Sequence, residues 1–106
     1  MKYDIKKGHH ANLEGDGLRE IMTEIFGDVI KEGETLVASY GGMSKISVKL
    51  LDKSSLWVET EKNLEIPNEM IAETIRKYNL FMERATGFNS KQRRNRLSKK
   101  AKEGKL

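Results

Sequence analysis

The 106-residue chain has no cysteine, so disulfides, thiolate metal sites and a cysteine nucleophile are excluded. It has a single proline, Pro67, and a single tryptophan, Trp57, which leaves no proline-rich linker and little aromatic surface. No uninterrupted apolar run exceeds three residues, far short of a membrane-spanning helix. The start, Met1-Lys-Tyr-Asp-Ile-Lys-Lys7, is charged but no apolar run follows it, so it does not read as a signal peptide. These absences lead to the expectation of a soluble, intracellular, cytoplasmic protein. Catalytic signatures are missing too: there is no GxSxG and no phosphate-binding glycine loop, and the carboxylates are spread along the chain. Neither an enzyme nor a cofactor is expected. His9-His10 lacks a convergent set of further ligands, with only Glu14 and Asp16 near in sequence, so no metal site is expected either.

Charge is abundant and unevenly placed. Lys and Arg number 20 against 16 Asp and Glu, for a net +4. Eight of the cations fall in the last sixteen residues, beside one acid, Glu103; they are Lys91, Arg93, Arg94, Arg96, Lys99, Lys100, Lys102 and Lys105. Residues 91–106 therefore carry +7 and residues 1–90 carry −3. A mildly acidic body with a strongly basic end points to a polyanionic partner, most often nucleic acid. About 90 residues remain for the body, enough to bury roughly 60–70% of the unfolded surface in one domain.

Hydrophobic periodicity divides that body into elements. Lys2–Lys7 alternates, with Tyr3 and Ile5 on one side, as a short strand. Gly8–Asn12 reads as a loop. Asp16 then precedes Leu18, Ile21, Met22, Ile25 and Phe26, spaced as one face of a helix that Gly27 ends. Three strand-period segments follow, at Thr35–Tyr40, Lys45–Leu51 and Leu56–Glu61. Gly41-Gly42 and Asp52-Lys-Ser-Ser55 supply the turns of an antiparallel meander. A second helix opens near Pro67 and Asn68. It carries Ile71, Ile75, Tyr78, Met82 and Ala85 as its apolar stripe and stops at Gly87. Asn89 and Gln92 have capping-box spacing, which starts a third, basic helix running to about Lys102 and ended by Gly104.

The expected fold is α+β, with the order β-α-β-β-β-α. An antiparallel sheet of about four strands carries two helices on one face, followed by a basic C-terminal helical extension. The expected division is an α+β domain over 1–88 and a basic helix or tail over 89–106.

The basic segment is the first candidate site. Cations within one short helix repel one another, and a phosphate backbone that binds them releases counterions. Arg93, Arg94 and Arg96 add forked donors suited to phosphates and to stacking on unpaired bases. An acidic protein surface, or simple solvation of the tail, would suit the same composition. The second candidate is Trp57, whose alternation sets it opposite to Leu56 and Val58, beside Lys45, Ser47 and Lys49. An aromatic among lysines on an open sheet face is how RNA-binding sheets stack bases. Packing of Trp57 beneath the C-terminal extension would give the same pattern. The functional expectation is a non-enzymatic nucleic-acid-binding accessory protein, RNA-directed or ribosome-associated. The alternative is a subunit that docks its basic tail on an acidic surface of a larger assembly.

Several stretches carry a family resemblance. They are Tyr40-Gly-Gly42, Leu56-Trp-Val-Glu-Thr60, and Glu73-Thr-Ile-Arg-Lys-Tyr-Asn79 running on to Ala85-Thr-Gly-Phe-Asn-Ser-Lys-Gln-Arg93. With them the chain resembles a family of small archaeal proteins, common in methanogens and known only as a domain of unknown function. The resemblance implies an archaeal, cytoplasmic α+β protein and carries over no activity or functional residue. The inner order α-β-β-β-α also resembles the double-stranded-RNA-binding domain. However, Asn68-Glu-Met-Ile-Ala-Glu73 is acidic where that family is lysine-rich.

Overall fold

The computed structural model describes residues 1–63 and 65–102. Strand β1 (Lys2–Asp4) leads through a 3-10 turn (His9–Asn12) to helix α1 (Gly17–Phe26). Strands β2 (Ile30–Glu32), β3 (Thr35–Tyr40), β4 (Met43–Asp52) and β5 (Ser55–Lys62) follow, then helices α2 (Asn68–Thr86) and α3 (Ser90–Lys102). The sheet is antiparallel throughout, in the order β1-β5-β4-β3-β2. Helix α1 thus carries the chain from one sheet edge to the other, and the meander returns strand by strand until β5 pairs with β1.

The sheet has five strands where about four are expected. The addition is β2, which pairs Ile30 with Val37 and Glu32 with Thr35. Its three residues are all exposed, Ile30 at 63%, so no buried alternation marks them in the sequence. The opening strand is also shorter than Lys2–Lys7, because beyond Asp4 the chain leaves the sheet. There the Lys6 amide bonds the Thr86 carbonyl at 2.8 Å.

Period-two alternation sends Leu36, Ala38, Ile46, Val48, Leu56 and Val58 to one face, where they are buried. Against them pack Leu18, Ile21, Met22, Ile25 and Phe26 of α1 and Phe81, Met82 and Ala85 of α2, in one continuous core. Phe26 lies between two rings, 5.3 Å from Phe81 and 6.1 Å from Tyr40 between centroids, both tilted as aromatic pairs prefer.

One turn ties the sheet to α2, and another is fixed by local bonds. Gly41 takes φ 50° in the β3–β4 turn, and the Gly42 amide donates to Thr74 Oγ1 of α2 at 2.9 Å. A Cβ on Gly41 would run into that same Thr74 Oγ1, so glycine is needed there both for the positive φ and for the close approach. Between β4 and β5, Asp52 Oδ1 accepts from the Ser54 amide and from both the Ser54 and Ser55 hydroxyls, at 2.8–2.9 Å. Those donors hold the Asp52 carboxyl below its ordinary pKa.

Helix α2 departs from its expected stripe in its first half. Met82 and Ala85 are fully buried, whereas Ile75 is 56% exposed and Ile71 only partly covered. The inward positions there are Thr74 and, further on, Phe81. Pro67, rather than Asn68, occupies the cap position, and Asn68 is already helical.

Candidate nucleic-acid interface

The basic segment is a helix held at a defined place. Gly87 ends α2 in the left-handed conformation, φ 80°, and its amide bonds the Glu83 carbonyl at 2.9 Å. Two residues on, the capping box closes: the Gln92 amide donates to Asn89 Oδ1, and the Asn89 amide to Gln92 Oε1, each at 2.9 Å. Helix α3 therefore begins at once, and its 13 residues lie against α2 and the edge strand β1.

Three of its cations make this docking. Arg93 is buried, 7% exposed, and donates to the Phe88 carbonyl at 2.7 Å and to Asn79 Oδ1 of α2 at 2.9 Å. Burial pulls its pKa down from the ordinary arginine value, with the neighbouring Tyr78 and Tyr3 opposing. Arg96 Nε donates to Asp4 Oδ2 at 2.9 Å, and its guanidinium stacks 4.5 Å from the centre of the Phe88 ring. Lys100 bonds the other Asp4 oxygen. Burial works against the Asp4 carboxylate, but Lys100 and Arg96 outweigh it, so its pKa is lowered. No buried side-chain nitrogen or oxygen among the described residues lacks a partner.

At about 100° per residue, Arg93, Arg96, Leu97 and Lys100 share an arc of about 100° on the docked side. Lys91, Arg94, Lys99 and Lys102 occupy an arc of about 140° on the opposite side, together with Asn95 and Ser98. All six are exposed, and among the described residues these four cations make no ion pair. The eight expected phosphate ligands thus divide: Arg93, Arg96 and Lys100 anchor the helix, and Lys91, Arg94, Lys99 and Lys102 face outward. Lys105, with Gly104 as the expected helix end, lies outside the described residues.

The signal for the anchoring role is present in the sequence only as an i, i+3, i+7 spacing. Its counterparts, Asp4 and Asn79, are remote in sequence and carry no local mark of the contact.

The second candidate surface is the outer face of the sheet. Trp57 stands opposite Lys49 on β4 and Lys2 on β1, 38% exposed. Lys49 pairs with Glu34 at 3.3 Å, and Lys45 stands opposite Glu61. With Glu59 and Glu32 also on this face, its charge is mixed, and the cations of α3 are not matched by a basic sheet.

His9 serves the fold: its Nε2–H donates to the Arg84 carbonyl at 2.7 Å, and His10 lies 3.5 Å from Glu14. Among the described residues no three His, Cys, Asp or Glu side chains converge as a metal site, and no helix is long and apolar enough to cross a membrane.

A five-stranded antiparallel sheet backed by two helices, with a third helix docked at its β1 edge, defines a small α+β protein. Residues 1–99 match the model of one such group, and the chain belongs to the family described as Domain of unknown function (DUF5611). A structure solved in solution by NMR, that of hypothetical protein TA0095 from Thermoplasma acidophilum, an archaeon, is similar at 30% sequence identity and a TM-score of 0.59. The match covers 91% of this chain and 95% of that one. No curated protein matches the sequence.

Proposed function

We propose that this is a non-enzymatic nucleic-acid-binding accessory protein, RNA-directed or ribosome-associated, which holds phosphates with the outward arc of α3. The observation that supports the reading is the division of the helix. Internal acceptors fix one side, and the other presents Lys91, Arg94, Lys99 and Lys102 with no acid among them. A helix held at a fixed angle offers its cations to a phosphate track without first paying the entropy of ordering a tail. Arg94, with Asn95 and Ser98 beside it, adds hydrogen bonds directed at phosphate oxygens.

Four contacts, rather than eight, set the expected salt dependence. The slope of log affinity on log salt is about −2.8 to −3.6, a loss of roughly 50–150-fold between 50 and 200 mM. Fluorescence anisotropy with a labelled RNA hairpin and a DNA duplex of matching sequence reads this directly. Replacing Lys91, Arg94, Lys99 and Lys102 together by Gln is expected to flatten the slope and leave the melting temperature unchanged. Affinity that ignores salt, or survives the four substitutions, refutes the reading. Partners that co-purify unchanged after nuclease treatment, and are lost in the Gln variant, would assign the same arc to an acidic protein surface instead.

A further inference from the structure

A groove lies between the end of β5 and the first half of α2, with Thr60 and Lys62 on one side and Ile71, Ile75 and Tyr78 on the other. Edge strand β1 covers only the first part of β5, pairing residues 2–4 with 55–57. The last bonds are those between Met1 and Val58, N to O in both directions, at 2.8 and 2.9 Å. Beyond Val58 the backbone of β5 keeps its two-residue period. The Asn63 amide turns to β4 and bonds the Gly42 carbonyl at 2.8 Å, so Thr60 and Lys62 turn their amides and carbonyls the other way. Nothing among the described residues pairs with them there. Among the described residues the unpaired stretch of β5 runs from Thr60 to Lys62, about 10 Å.

An independent observation converges on the same place. The apolar stripe of α2 is left partly open in its first half, where Ile71 is half-buried and Ile75 exposed, whereas Phe81 and Met82 further on are fully covered. Ile71, Ile75 and Tyr78 form one wall of a groove of about 400 Å³ whose other wall is Thr60 and Lys62. Across its floor the Tyr3 and Tyr78 hydroxyls lie 3.5 Å apart.

We infer that this groove binds an extended peptide segment of a partner protein as an added strand on β5, with an aliphatic residue opposite Thr60 and a carboxylate opposite Lys62. The unpaired amide and carbonyl groups demand an extended backbone, because only a strand returns one donor and one acceptor at every second residue. Residues opposite Thr60 and Lys62 share a face of the incoming strand, so both point toward α2. The first meets Ile71 and Ile75. The second meets Lys62, the one charged side chain among the described residues lining the groove. A second copy of this chain is the poorer occupant. Three residues of shared edge bury far less than the roughly 1,200–2,000 Å² of a stable interface. The inference is independent of the phosphate-binding reading of α3.

Phage-displayed random heptapeptides selected against the full chain, and then synthesised, test it. Enriched sequences are expected to place an aliphatic and an acidic residue two positions apart. In a titration of ¹⁵N-labelled protein they should shift the amides of Thr60, Lys62 and Ile75. N-methylation of the peptide amide opposite Thr60 should weaken binding at least tenfold. So should Ile75→Asp, placed at an exposed position, with RNA affinity unchanged. The inference is overturned if no sequence is enriched, if the shifts map to α3, or if N-methylation has no effect. It is equally overturned if sedimentation shows a dimer that Ile75→Asp dissociates, since the occupant is then a second copy.

Discussion

Asp4→Asn isolates the contact on which the placement of α3 depends. The Asp4 side chain is 16% exposed and takes Arg96 on one oxygen and Lys100 on the other. Exposed ion pairs contribute about 0.2–1 kcal/mol, and breaking a fully buried pair costs about 3–5 kcal/mol. Arg96 and Lys100 remain 50% and 27% exposed, so the Asp4 contacts lie near the lower end of that span. Asparagine keeps an acceptor of the same shape and removes the charge, at a cost of about 1–2 kcal/mol. That is a five- to thirty-fold rise in the open population of the helix. A 13-residue helix dense in like charge is marginal alone, so undocking also unfolds it. Native-state hydrogen exchange is the assay. Amides of α3 should exchange five- to thirty-fold faster, while those of β4 and the second half of α2 stay at their wild-type rates. Exchange in α3 unchanged within a factor of two would show that Arg93 and Phe88 hold the helix without Asp4.

Because the Asp4 pKa is lowered in the folded protein, its contribution is fully present above the unfolded carboxylate value. It is lost as pH falls through the lowered one, so exchange protection of α3 should decline in that acidic window ahead of the core, and Asp4→Asn should remove the pH dependence. Gly41→Ala forces a side chain into the left-handed region and against Thr74 Oγ1, at a cost of about 1–3 kcal/mol in urea unfolding. Phe81→Ala empties the centre of the core, where Phe81 is fully buried against Phe26, and should cost about 3–5 kcal/mol in the same measurement.

Much of the architecture is legible in the sequence where the signal is local. The spacing of Leu18, Ile21, Met22, Ile25 and Phe26 defines α1, and its buried set is those five residues. The alternation of β3, β4 and β5, the Gly41-Gly42 turn and the Asn89–Gln92 capping box are of the same kind. Strand β2 is hidden because its side chains face water and its pairing depends on β3. Ile71 and Ile75 read as core, since periodicity identifies an apolar face and says nothing about whether a neighbour reaches it. Arg93, Arg96 and Lys100 read as solvent-facing or ligand-facing because charge normally means exposure. Burial of Arg93 depends on Asn79 and on the Phe88 carbonyl, a combination that only the fold assembles. The candidate site is therefore legible as a segment, and its division into an anchoring and a presenting side is set by long-range contacts.

The contact between Asp4 and Arg96 joins residues 92 positions apart, and that separation has a consequence for the order of assembly. Closing so long a loop costs about 4 kcal/mol of chain entropy, more than the contact returns. The cost is met earlier, when β1 zips onto β5 and the Lys6 amide finds the Thr86 carbonyl. From Thr86 only a short stretch separates the ordered chain from Arg93, and α3 can then close as a local event. It should be the last part to fold and the first to open, a cooperative unit whose lifetime is set apart from that of the core.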